Sequence, residues 1–147
     1  MKRKVLALLW LLVLGLGLWA CSSGNSSGGL GVYPKAVGAA DEASAIQALR
    51  TIATAEAQLK ATRGGYGDFA ALTQAGLLDE RFAGNAPNLK GYRFTIAASE
   101  ADFSVNADPQ TTETQPTSGS RRFYLDSTDN SIHVNLSRPA SKSDPVL

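Results

Sequence analysis

The chain has 147 residues, with 14 Lys+Arg against 13 Asp+Glu, one Cys and one His. That length suits a single domain, and so even a charge balance lacks the clustered basic footprint of a nucleic-acid binder. One cysteine excludes an internal disulfide or a multi-cysteine metal site, one histidine excludes a His-rich metal centre, and no cofactor is expected.

Residues 1–20 read as a targeting segment. Lys2-Arg3-Lys4 form a basic start, and Val5 to Ala20 is an unbroken apolar or glycine run. The run is shorter than the roughly 20 residues that a bilayer core requires, so a secretory signal is the better reading than a permanent span. It ends at Leu18-Trp19-Ala20-Cys21. That tetrapeptide resembles the bacterial lipobox, which implies cleavage between Ala20 and Cys21, acylation of Cys21 and a lipid anchor; Trp19 departs from the usual small or branched residue. Several acyl chains on one residue give stable anchoring where a single chain gives only marginal binding. Ser22 follows where Asp would signal retention, so the resemblance implies the outer membrane of a diderm envelope. Cleavage would take three basic residues from the 14, leaving 11 against 13 acidic in the mature chain.

Residues 21–38 are expected to be a flexible linker. Ser22 to Gly29 is Gly, Ser and Asn only, too poor in apolar surface to offset its ordering entropy. From about Ala39 the spacing predicts a helix, because Ala45, Ala48, Ile52, Ala55 and Leu59 share one face, widened by Ile46 and Leu49. Asp41 and Glu42 are expected in its first turn and Lys60 and Arg63 in its last, both favourable to the helix dipole, with Gly64-Gly65 as the stop. A shorter helix is expected over Asp68 to Ala75, where Phe69 and Leu72 share a face.

Four strands follow. Tyr92, Phe94 and Ile96 alternate with polar or small residues, as do Phe103, Val105 and Ala107, then Phe123 and Leu125, then Ile132, Val134 and Leu136. Ser99-Glu100 and Asp126 to Asn130 are the expected turns, and Asp108 to Ser120 is a polar loop and the expected partner-binding segment. The fold class is therefore α+β, a long helix packed on a four-stranded antiparallel sheet over 39–136, with 137–147 expected to be a disordered tail.

The order of these elements and several motifs resemble the head domain of bacterial type IV pilins and type II secretion pseudopilins. The motifs are Asp41 to Ile52, Gly64-Gly65-Tyr66-Gly67, Gly76-Leu77-Leu78-Asp79, Gly91-Tyr92-Arg93-Phe94 and Phe123-Tyr124-Leu125-Asp126. The family carries a prepilin cleavage site and a long hydrophobic assembly helix before this region, whereas a lipobox and a Gly/Ser stretch stand here. The resemblance implies a pilin-like head on a lipid anchor and a protein-interaction role in a pilus or secretion system, and the departure from the family's assembly helix implies no filament formation.

Catalytic and metal constellations are sparse. A Ser/His/Asp site would have to use His133 with Asp126 or Asp129, yet alternation makes His133 a solvent-facing sheet residue. Asp126, Asp129 and Asn130 are weak calcium candidates, since some pseudopilins bind calcium in a nearby loop, but their spacing matches no complete calcium loop. Glu100 with Asp102, and Asp79 with Glu80, read as solvated turn residues, and Tyr66, Tyr92, Phe94 and Phe103 as core. The expectation is thus a non-enzymatic envelope lipoprotein. The alternative is a small periplasmic ligand-binding or hydrolytic lipoprotein on the same scaffold.

Overall fold

The computed structural model describes residues 32–110 and 119–147. The targeting segment, Cys21, the glycine-rich part of the linker and the centre of the polar loop lie outside the described residues. Among those described, no helix is long and apolar enough to cross a membrane.

Helix α1 spans Val32–Arg63. It begins seven residues earlier than Ala39, so the last part of the expected linker is helical. Pro34 is compatible with that start, because the first-turn amides have no intrahelical acceptor and a missing N–H there costs nothing. Asp41 and Glu42 are consequently interior residues, not first-turn ones, while Lys60 and Arg63 do occupy the last turn. Gly64 closes the helix at φ +86, donating its N–H to the Lys60 carbonyl. Such a φ strains any side-chain-bearing residue.

Helix α2 is Phe69–Gln74, capped by Asp68, whose carboxylate accepts from the Ala71 N–H at 2.8 Å. Phe69 and Leu72 point inward as their spacing requires. A 3-10 turn at Glu80–Phe82 follows, capped by Asp79, which also pairs with Arg81 on the surface.

The sheet has five antiparallel strands in chain order: β1 Asn88–Leu89, β2 Tyr92–Ala98, β3 Phe103–Pro109, β4 Arg122–Asp126 and β5 Ile132–Asn135. The fold class is α+β, with five strands where alternation predicts four. The added strand is two residues long, too short to show a period, and its signal is the turn. Lys90 and Gly91 both take positive φ, at 48 and 76, which makes the two-residue hairpin whose twist suits paired strands.

One sheet face and one helix stripe form the core. Leu49, Ile52 and Leu59 of α1 pack with Phe94, Phe103, Val105, Phe123 and Leu125, and Tyr92 and Phe94 are fully buried. Alanines at 45, 53 and 55 keep the buried side of the helix thin, so helix and sheet approach closely. Tyr92, Phe94 and Phe103 are core as expected, whereas Tyr66 is half-buried at its margin. Leu136 is the exception to the strand reading: it falls beyond β5 and is 68% exposed.

The largest correction concerns residues 137–147, which are ordered and belong to the fold. Ala140 and Asp144 are buried, and the Ala140 carbonyl accepts from Asn106 Nδ2 at 2.7 Å on the sheet face away from the helix. The chain then pairs with β5: Val134 N–H donates to the Pro145 carbonyl at 2.9 Å and Leu147 N–H to the Ile132 carbonyl at 2.8 Å. A composition with little apolar content reads as disorder, but this segment is held by hydrogen bonds that cover a sheet edge.

Candidate functional site

Every titratable candidate of the β4–β5 hairpin is brought to the sheet face opposite α1. Strand register places Asn106, Tyr124 and His133 in one row across β3, β4 and β5. Strand alternation alone would leave that row in water. The C-terminal segment covers it, so His133 is 4% exposed where the sequence predicts a solvent-facing ring.

Both ring nitrogens of His133 are engaged. Nδ1 donates to the Asp144 carbonyl at 2.7 Å, and Nε2 lies 3.3 Å from Asp129 Oδ2. A carbonyl only accepts, so the proton sits on Nδ1; a second proton on Nε2 turns the contact with Asp129 into an ion pair. The Asp144 carbonyl is the main reason that the His133 pKa is raised, with burial opposing it and Asp129 adding to it. The Tyr124 ring meets the imidazole edge-on at 6.1 Å.

Asp126 ends β4 as a buried residue, not a turn residue. Its Oδ1 accepts from the Thr128 N–H at 2.8 Å and its Oδ2 from the Tyr124 hydroxyl at 3.1 Å, with Lys142 Nζ 4.0 Å away. Asp129 Oδ1 accepts from the Ser131 N–H, which holds its carboxyl below the usual range, aided by His133. Asn130 takes φ 55 at the apex of the turn, a conformation asparagine tolerates. These carboxylates are spent on their own hairpin, and among the described residues no group of three or more His, Cys, Asp or Glu side chains could hold a metal ion. Asp129 and Asn130 therefore form the turn, and Asp126 braces it from the end of β4.

Asp144 is the residue that sequence reasoning missed. Its carboxylate accepts from Arg138 at 2.6 and 3.0 Å, from Asn135 Nδ2 at 2.8 Å, and from the Ser141 N–H and hydroxyl at 2.8 and 3.0 Å. Burial works against the charge, but these donors outweigh it and bring the pKa down to about 2. The spacing Arg138, Ser141, Asp144 carried that signal, because three-residue steps around a turn let one carboxylate collect several donors.

Beside Asp126 lies an open cleft of about 350 Å³, lined by Ser99, Asp102, Ser104, Tyr124, Asp126 and Thr128. Ser99 and Asp102 bind each other across the β2–β3 turn at 2.6 Å. Among the described residues no serine hydroxyl meets either nitrogen of His133, so the nucleophile–base contact of a hydrolytic triad is not assembled.

Comparison with protein-family models, curated proteins and solved structures returns no match.

Proposed function

We propose that the chain is a lipid-anchored envelope protein whose helix-on-sheet head acts by contacting other proteins, in a role like that of a pilin or pseudopilin head. The observation that carries this reading is the engagement of His133. The only imidazole of the chain is buried, donates from Nδ1 to the Asp144 carbonyl and turns Nε2 to the Asp129 carboxylate, so both nitrogens face groups of the scaffold. Among the described residues no serine hydroxyl meets this ring, which favours the contact role over the hydrolytic alternative. The lipobox-like Leu18-Trp19-Ala20-Cys21 supports the anchor, and the order of a long helix before an antiparallel sheet supports the pilin-like head. Membrane lipid, through acylated Cys21, and components of a pilus or secretion system are the proposed partners; attachment is to the outer membrane.

The test is metabolic labelling with an alkyne fatty acid in a diderm host, followed by crosslinking in the cell. The full chain should take up label that Cys21→Ala abolishes, since no other thiol exists, and the labelled chain should crosslink to discrete envelope proteins. An unlabelled Cys21 overturns the anchor, and hydrolase activity dependent on His133 overturns the role of the head.

A further inference from the structure

Glu56 stands on the buried side of α1, between Ile52 and Leu59, and is 0% exposed. Its Oε2 accepts one hydrogen bond, from the Gly67 N–H at 3.0 Å, and its Oε1 has no partner. The other buried charged groups, Glu42, Asp126, His133 and Asp144, each face an opposite charge, but no cation pairs with Glu56 among the described residues.

Its surroundings are apolar or of like charge. On α1, Lys60 turns away, resting over the Tyr66 ring at 4.2 Å and donating to the Ala101 carbonyl, and Arg63 is exposed. Asp68 at the start of α2 adds a second negative charge, and Glu100 of the β2–β3 turn lies against Gly65. The inner sheet face contributes Phe94, Phe103, Val105 and Leu125; its one titratable group, Tyr92, sits at the other end beside Arg121.

Segment 64–67 closes over this carboxyl. A Cβ on Gly67 would collide with Leu59 and Ala71, so only glycine lets the backbone approach as it does. Tyr66 meets the Phe103 ring at a tilt of 57°, 4.9 Å between ring centres, and its N–H donates to the Ser99 carbonyl at 3.2 Å.

We propose that Glu56 is a proton-operated latch: segment 64–67 closes over the neutral carboxyl, and loss of the proton opens that segment from the end of α1 and the β2–β3 turn, because burying the carboxylate costs more than its strengthened Gly67 bond returns. The physical reason is that the closed site solvates a neutral carboxyl tolerably and a carboxylate poorly, whereas the open site admits water to the ionised form. Burial is the main cause that lifts Glu56 from 4.5 to about 7, the Gly67 bond opposes it, and Asp68 adds to it. The closed form therefore holds in acid, loosens as pH rises from about 4.5 to about 7, and changes little above that. Opening would lift Tyr66 off Phe103 and uncover the Leu59 side of α1, a pH-gated apolar surface on a protein that acts by contact.

The test follows Gly67 and Tyr66 amide exchange in the full chain in detergent, corrected for intrinsic rates, at pH 5.5 and 8.5. Protection at both amides should fall about 30-fold between these values, while Val105 in β3 stays unchanged. Glu56→Gln, which keeps shape and acceptor but cannot ionise, should abolish the pH dependence. In the same wild-type sample the Glu56 carboxyl carbon should titrate near neutrality. Flat protection, an equal loss in Glu56→Gln, parallel loss at Val105, or a carboxyl midpoint near 4.5 overturns the latch. The wild-type readings decide the matter even if the variant fails to fold.

Discussion

Arg121 Nε donates to Glu42 Oε2 at 2.7 Å, an ion pair joining residues 79 positions apart. Glu42 Oε1 accepts from the Ser120 and Arg121 N–H groups as well, so one carboxylate fastens α1 to the entrance of β4. Gly119 is fitted to this arrangement, since a Cβ there would collide with the Glu42 side chain. On the other side of the joint the Tyr92 hydroxyl donates to the Arg121 carbonyl at 2.9 Å.

Glu42→Ala should therefore cost about 2 to 3 kcal/mol, because two backbone donors and a half-buried guanidinium lose their acceptor together. Denaturant titration measures it, and Arg121→Ala in the Glu42→Ala background should add much less than it does alone.

Ile52 is fully buried where α1 meets the sheet, and Gln47 is exposed on the same helix. Ile52→Ala should cost about 2 to 4 kcal/mol through lost transfer energy and a residual cavity. Gln47→Ala should stay within about 0.5 kcal/mol. The two denaturant midpoints, compared at equal slope, check the phase of the helix.

Asp144→Ala should free the C-terminal segment without unfolding the core. Its five donor contacts vanish, and the Val134 and Leu147 amides, which bond across the β5 edge, should lose protection while Val105 keeps it. Amide exchange mapped by mass spectrometry separates this local release from global unfolding.

The same segment has a pH window. Asp144 is lowered in the folded state, so its contribution is complete above the ordinary aspartate value near 3.8 and disappears as pH falls through about 2. His133 is raised, so its contribution is complete below the ordinary histidine value of 6.5 and disappears as pH rises through its folded pKa. Protection of Leu147 should be greatest between these limits, and His133→Gln should remove the alkaline decline alone.

The chain should remain monomeric at micromolar concentration. The exposed face of α1 offers Ala43, Ser44, Gln47, Thr51 and Thr54, which bury little apolar area against a copy. Sedimentation of a soluble fragment that keeps residues 32–147, tail included, checks this; filaments under electron microscopy would oppose it.

Local patterns were enough for α1 from Ala39 onward, α2 and four of the strands, because each reports a periodicity within a few neighbouring residues. Ala45, Ile52 and Leu59 mark one face of a helix whatever they pack on, Asp68 caps α2 through a bond three residues away, and Tyr92, Phe94 and Ile96 mark one side of a strand. The local bonds of the β4–β5 carboxylates were also legible, since Asp126 and Asp129 bind amides two residues on.

Alternation tells which side of β5 faces the helix, but not that a second layer covers the other side. Burial of His133 depended on where residues 137–147 travel, and their order rests on Asp144 gathering donors, not on apolar content that composition can register. The partner of Glu42 lies across 79 positions, and nothing near Glu42 in sequence specifies it. The 3-4-3 spacing of Leu49, Ile52, Glu56 and Leu59 puts Glu56 on the inward face, but the approach of Gly67, permitted by the absence of a Cβ, is what shuts it away from water and makes its proton matter. Sequence periodicity determined the elements and their inward faces, because those are set by neighbours along the chain. Tertiary structure decided which charges lost their water, because desolvation is set by whatever the distant chain brings over them.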